Sequence, residues 1–191
     1  MASSTKDPGS AADDPSVGTV AWLNVDYAKD SDPSEATAAT GFSYSHYLKV
    51  TNFGFGIPSG STIDGVIASI VRHGAASYDT KDVAVSLVVE GSVTGDNKGD
   101  TANSWPVNPT QKDYGGAADK WGCTLSDLVV NASNFGFVLE ITGMVSWSCG
   151  YVHYVFLTVY YTPPAGGGVK FCGVVCSKFD GVAVSKFDGV A

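Results

Sequence analysis

At 191 residues the chain is long enough for one domain with extensions, since single domains hold roughly 100 to 200 residues. Its 44% hydrophobic and 16% charged residues exclude a disordered chain, and 23 Gly with 9 Tyr lean it towards a turn-rich β-protein. Eleven basic against 19 acidic side chains leave a formal charge of −8, and Arg72 is the only arginine, so a phosphate-binding nucleic-acid surface is not expected.

The opening "MASSTKDPGSAADDPSVG" has no basic stretch followed by an apolar core, so it does not read as a secretory signal peptide. No later segment reaches the ~18 uninterrupted apolar residues of a membrane helix. The expectation is synthesis in a cytoplasm without a signal peptide, and no membrane partner. Residues 1–17 are small and polar, without a period of 2 or 3.6, and read as a disordered or extended N-terminal arm ordered by a neighbour.

Between residues 18 and 163, short apolar runs recur between Gly, Pro, Asn and Asp. "TVAWLNV", "HYLKVTNF", "TIDGVIASIVRH", "VAVSLVVE", "FGFVLEIT" and "YVHYVFLTVYYT" each read as a strand. In "VAVSLVVE", Val83, Val85, Leu87 and Val89 face one way and Ala84, Ser86, Val88 and Glu90 the other, a half-buried pattern. With roughly seven or eight such strands the expected fold is all-β, an antiparallel sandwich or jelly roll. Pro58 and Gly60 mark a turn in "IPSGSTIDG". Residues 94–122 form a long polar segment expected to run over the sandwich edge. "TLSDLVVNA" predicts about two helical turns, with Thr124 as N-cap and Asp127 at the third helical position.

Chemistry is sparse. His46, His73 and His153 lie on separate expected strands without the Cys and His spacings of zinc sites, so no metal is expected there. The acidic stretches "DDP", "DYAKDSD" and "TGDNKGD" lack the spacing of a calcium-binding loop and read as turn chemistry. No nucleophile elbow, P-loop or dinucleotide fingerprint is present, so the reading is of a non-enzyme with no catalytic residues and no cofactor. Cys123, Cys149, Cys172 and Cys176 suffice for two disulfides, although a cytoplasmic product more often keeps free thiols. Trp105, Tyr114 and Trp121 fall in the polar segment, where they either form a platform for sugar or a partner protein, or pin the segment onto the sandwich.

Residues 164–169 are a Pro/Gly linker, and residues 170–191 repeat. Lys170, Lys178 and Lys186 are evenly spaced, as are Phe171, Phe179 and Phe187, in units of the form K-F-[CD]-G-V-x-x-S. On a helix this step drifts by about 80°, so the phenylalanines would share no face; an even period suits strands. Asp180-Gly181 and Asp188-Gly189 are hairpin turns by composition, with Cys172-Gly173 at the same phase, which folds the tail into a meander. The rival geometry keeps it extended. In either case a narrow ribbon with an unfinished apolar edge is marginal alone. Phe171, Val174, Phe179, Val182, Phe187 and Val190 are therefore expected to form an assembly element that pairs with other chains.

The stretches "GTVAWLNVDYA", "LKVTNFGFGIPSGSTIDGVIASIVR", "YGGAADKWG", "NASNFGFVLEI" and "VFLTVYYTP" resemble a type of structural protein from tailed-bacteriophage virions. The tail is similar to the "K-x-N-G-V-A" repeats that end many phage structural proteins, with "FDGV" at residues 179–182 and 187–190 in the corresponding places. Cys172 and Cys176 depart from that pattern. The resemblance implies a β-sandwich subunit of the virion: a head fibre, a decoration protein or a tail-associated adhesin. It implies copies of itself as partners, trimers being usual among such fibres, and other virion proteins. The alternative function is a receptor- or carbohydrate-binding module with a host surface glycan on Trp105, Tyr114 and Trp121.

Overall fold

The computed structural model describes residues 1–75 and 80–164, and the backbone of Lys170–Phe171 and Val174–Val175. The chain folds as two packed antiparallel sheets. Its strands are β1 (Ala2–Lys6), β2 (Ser10–Asp14), β3 (Ala36–Ala38), β4 (Tyr47–Thr51), β5 (Thr62–Gly74), β6 (Thr80–Val89), β7 (Ser92–Thr94), β8 (Thr110–Gly116), β9 (Gly136–Gly143) and β10 (Gly150–Thr162). The first sheet runs β1-β10-β5-β8, with β3 also paired to β10. The second runs β2-β4-β9-β6-β7. Side chains alternate along β10, so Val152, Val155, Leu157 and Val159 enter the core, where Ile70, Val85, Leu87, Phe137 and Leu139 meet them.

The N-terminal segment finds its neighbour within its own chain. Ala2–Lys6 pairs with Tyr161–Leu157 of β10, and Ser10–Asp14 pairs with Thr51–Tyr47 of β4. The segment thus adds one strand to each sheet. Backbone pairing rather than side-chain burial holds it, which is why its polar sequence shows no strand period.

"TVAWLNV" makes only the isolated bridges Val20↔Ser45 and Leu23↔Thr37. Trp22 is buried, with its indole N–H donating to the His46 carbonyl at 2.9 Å, and Asn24 turns to φ 56 before a 3₁₀ turn over Val25–Lys29. A left-handed residue interrupts an extended ladder, so the apolar alternation there anchors a loop. The helix is a single short turn, α1 (Asp127–Asn131), capped by Ser126, whose hydroxyl accepts from Val129 N at 3.3 Å, rather than by Thr124. The half-buried reading of β6 also gives way: Ala84, Ser86 and Val88 are buried as well as Val85 and Leu87. A bulge between Asp82 and Ala84 leaves Val85 N to be met by the Asn97 side chain at 3.0 Å, and this brings residues 97–100 against the strand.

Beyond the sandwich, β11 (Lys170–Phe171) pairs antiparallel with β12 (Val174–Val175), Phe171 opposite Val174. The turn expected at Cys172-Gly173 lies outside the described residues. The side chains of Phe171 and Val174, and all of Phe179, Val182, Phe187 and Val190, lie outside the described residues.

Candidate functional site

The expected platform is interior. Trp105, Tyr114 and Trp121 are 2%, 3% and 0% exposed. Asp82, at the bulged start of β6, is the reason for two of them: its carboxylate accepts from Trp105 Nε1 at 2.6 Å and from the Tyr114 hydroxyl at 2.8 Å. The same carboxylate takes the Asp100 N–H at 2.8 Å and lies 3.4 Å from Arg72 Nη1. The Arg72 guanidinium sits 4.5 Å from the centre of the Trp105 ring. Burial, followed by the charge of Asp82, pushes the Tyr114 hydroxyl far above its usual range, so it stays protonated as a donor. Trp121 is fixed separately, donating from Nε1 to the Val66 carbonyl at 2.9 Å while its own backbone holds φ 58. Gly115 must be glycine here, because at φ +84 a Cβ would come within 2.4 Å of that indole nitrogen. These rings pin residues 94–122 to the sandwich and offer no stacking face to a ligand.

Exposed aromatics do exist, at a different place. Phe42 and Trp147 are 71% and 70% exposed, and Tyr44 and Met144 stand beside them on the same two loops. Those loops are tied together: Gly41 N donates to the Ser148 carbonyl at 3.1 Å, and the Thr142 hydroxyl to the Ser43 carbonyl at 3.1 Å. A cleft of about 350 Å³ opens between Tyr44, Lys81, Thr142 and Met144. The signal for this set was present in "TGFSYSH" and "MVSWSCG", where aromatic residues sit singly among Gly and Ser with no strand period to bury them.

Two of the three histidines converge with a carboxylate. His73 of β5 and Tyr151 of β10 are register partners whose rings stack at 4.7 Å on the outer face of the first sheet. The register then slips between Val152 and Tyr154, and the bulge leaves His153 on that same face. Glu35, immediately before β3, completes the group: its Oε1 lies 2.7 Å from His73 Nε2 and 2.8 Å from His153 Nε2. His73 Nδ1 lies 3.1 Å from the Gly74 carbonyl oxygen. The three side chains are partly exposed and their ligand atoms all fall within 4.8 Å of one another. No local spacing announces such a group, because residues 35, 73 and 153 meet only through the pairing of β3 and β5 with β10. His46 takes a bland role, bonded through Nδ1 to Asp13 Oδ2 at 2.8 Å.

The acidic stretches act as turn and pairing groups. Asp14 meets Lys49 at 3.2 Å, Asp26 meets Lys29 at 2.8 Å, and Asp30 and Asp32 accept from backbone N–H groups two residues on. Asn103 and Lys112 together hold the Asp100 carboxyl down at about 2. The Cys123 thiol is free, Cys149 Sγ lies 4.0 Å from the Gly150 carbonyl oxygen, and Cys172 and Cys176 lie outside the described residues.

No protein-family model, no characterised protein and no solved structure matches this chain.

Proposed function

We propose that the chain is a non-enzymatic structural subunit of a tailed-phage virion, a fibre, decoration or tail-associated protein, that assembles through its C-terminal repeats. The observation that carries this reading is the polarity of the sandwich. Ala2 pairs with Tyr161, so β1 starts and β10 finishes at one end of the sandwich, and the repeats follow β10 in sequence. The loops bearing Phe42, Tyr44, Met144 and Trp147 adjoin the opposite end, where Gly150 meets Gly74. The strand between is 13 residues, or roughly 40 Å long. One pole is thus suited to attachment through added strands, and the other to presentation. A receptor-binding role belongs to the same arrangement, with Phe42, Tyr44 and Trp147 replacing the buried Trp105, Tyr114 and Trp121.

The test is the mass in solution, by light scattering, of the full chain and of a chain lacking residues 169–191. The full chain is expected as a homo-oligomer, a trimer by resemblance, and the shortened one as a folded monomer. A shortened chain that keeps the full chain's oligomer overturns the proposal.

A further inference from the structure

We propose that Glu35, His73 and His153 form a binding site for one divalent transition-metal ion of the zinc type. The argument begins at the back of the His73 ring. A carbonyl oxygen can only accept, so the Gly74 carbonyl at 3.1 Å places the proton of the neutral imidazole on Nδ1 and leaves Nε2 with its lone pair. That lone pair points at Glu35 Oε1, 2.7 Å away, which is also an acceptor. His153 Nε2 approaches the same oxygen at 2.8 Å. Three atoms of metal-ligand type thus converge on one point, and a cation between them satisfies all three as well as protons on the two imidazoles would. A backbone carbonyl behind a histidine, fixing its tautomer, is the usual support of a metal-bound imidazole.

The donors fit the ion. Two imidazole nitrogens and a carboxylate oxygen make a borderline set suited to Zn²⁺ and its neighbours rather than to Mg²⁺ or Ca²⁺, which prefer all-oxygen shells. With metal–ligand bonds of about 2.0–2.2 Å, donors around a tetrahedral ion stand roughly 3.3–3.5 Å apart. The Glu35 carboxylate therefore has to withdraw by about 0.6 Å to admit the ion, while the two imidazole nitrogens, within 4.8 Å of each other, settle to the same separation. It can do so because it sits on the connection into β3, whereas both histidines are on paired strands and His73 is braced by Tyr151. Partial exposure leaves one side of the group open for water as the fourth ligand. The ion would clamp the segment ahead of β3, which pairs with β10 through three residues, onto the face of β5 and β10. This site stands or falls independently of assembly through the tail.

The experiment uses the full chain, stripped with EDTA and titrated with ZnCl₂ by calorimetry. One Zn²⁺ per chain is expected, undisturbed by excess Mg²⁺ or Ca²⁺, with Co²⁺ giving the visible spectrum of a four- or five-coordinate ion. Glu35→Gln, His73→Gln and His153→Gln should each lose more than the ~10–100-fold in affinity that changes behind a ligand cost. His46→Gln and replacement of the four cysteines by Ser should leave binding intact. A readout that needs no variant is diethylpyrocarbonate modification of the wild-type chain, in which Zn²⁺ should protect His73 and His153 and leave His46 reactive. Absence of stoichiometric Zn²⁺ binding, equal affinity in the Gln variants that remain folded, or binding without protection of His73 and His153 overturns the proposal.

Discussion

Replacing Asp82 with Ala tests whether the buried polar cluster, rather than the aromatic area alone, holds residues 94–122 in place. The substitution removes one acceptor from Trp105 Nε1, the Tyr114 hydroxyl and the Asp100 N–H at once. It also leaves Arg72, which is 4% exposed, without its counter-charge. Stranding one member of a buried ion pair costs about 3–5 kcal/mol, and each hydrogen bond to a charged acceptor is worth about 1.5–3 kcal/mol. The contributions share one carboxylate and do not add, so the expected loss is about 4 kcal/mol, a large part of the ~5–15 kcal/mol that holds a domain. With a urea slope of about 2 kcal/mol/M the unfolding midpoint falls by about 2 M. Arg72→Met should behave differently. Among the described residues Arg72 Nε and Nη1 have no hydrogen-bond partner, whereas Asp82 keeps its three donors when the arginine is gone. Its cost is expected to be smaller, about 2 kcal/mol, because the Asp82 carboxylate it strands keeps three hydrogen-bond donors. Urea unfolding followed by tryptophan fluorescence measures both. Equal damage from the two variants, or a shift below about 0.5 M for Asp82→Ala, would refute the reasoning.

Burial raises the Glu140 carboxyl above its ordinary value of 4.5, so the folded chain binds the proton more tightly than the unfolded one. Its contribution to stability is therefore present below that value and lost as pH rises through the raised pKa. Glu140→Gln should be more stable than wild type at pH 7, with the difference in urea midpoint vanishing towards pH 4; a difference independent of pH would sink the assignment. The exposed loops call for a glycan array. Any dose-dependent signal should disappear with Trp147→Ala and persist with Trp121→Phe, and the reverse pattern would return recognition to the polar segment.

What the sequence made legible was set by the range of the interactions. β5, β9 and β10 were readable because their apolar periods are local and their burial follows from them. β1 and β2 were not, since "ASSTK" and "SAADD" are held by ladders to strands distant in sequence, β10 and β4. Composition could place Trp105 and Tyr114 in a polar segment but could not show Asp82, more than twenty residues earlier, waiting under them.

The Glu35 group carries this logic furthest. Three strands must pair, and one of them must slip its register, before His153 shares a face with His73. A regular ladder would leave only one of His153 and Tyr154 on the outer face, whereas the bulge leaves both there. The irregularity that makes the strand harder to read is thus the feature that assembles the ligands. It separates the two roles of β10: its regular stretch from Tyr154 to Tyr160 buries Val155, Leu157 and Val159 in the core, and its irregular start turns polar chemistry outward.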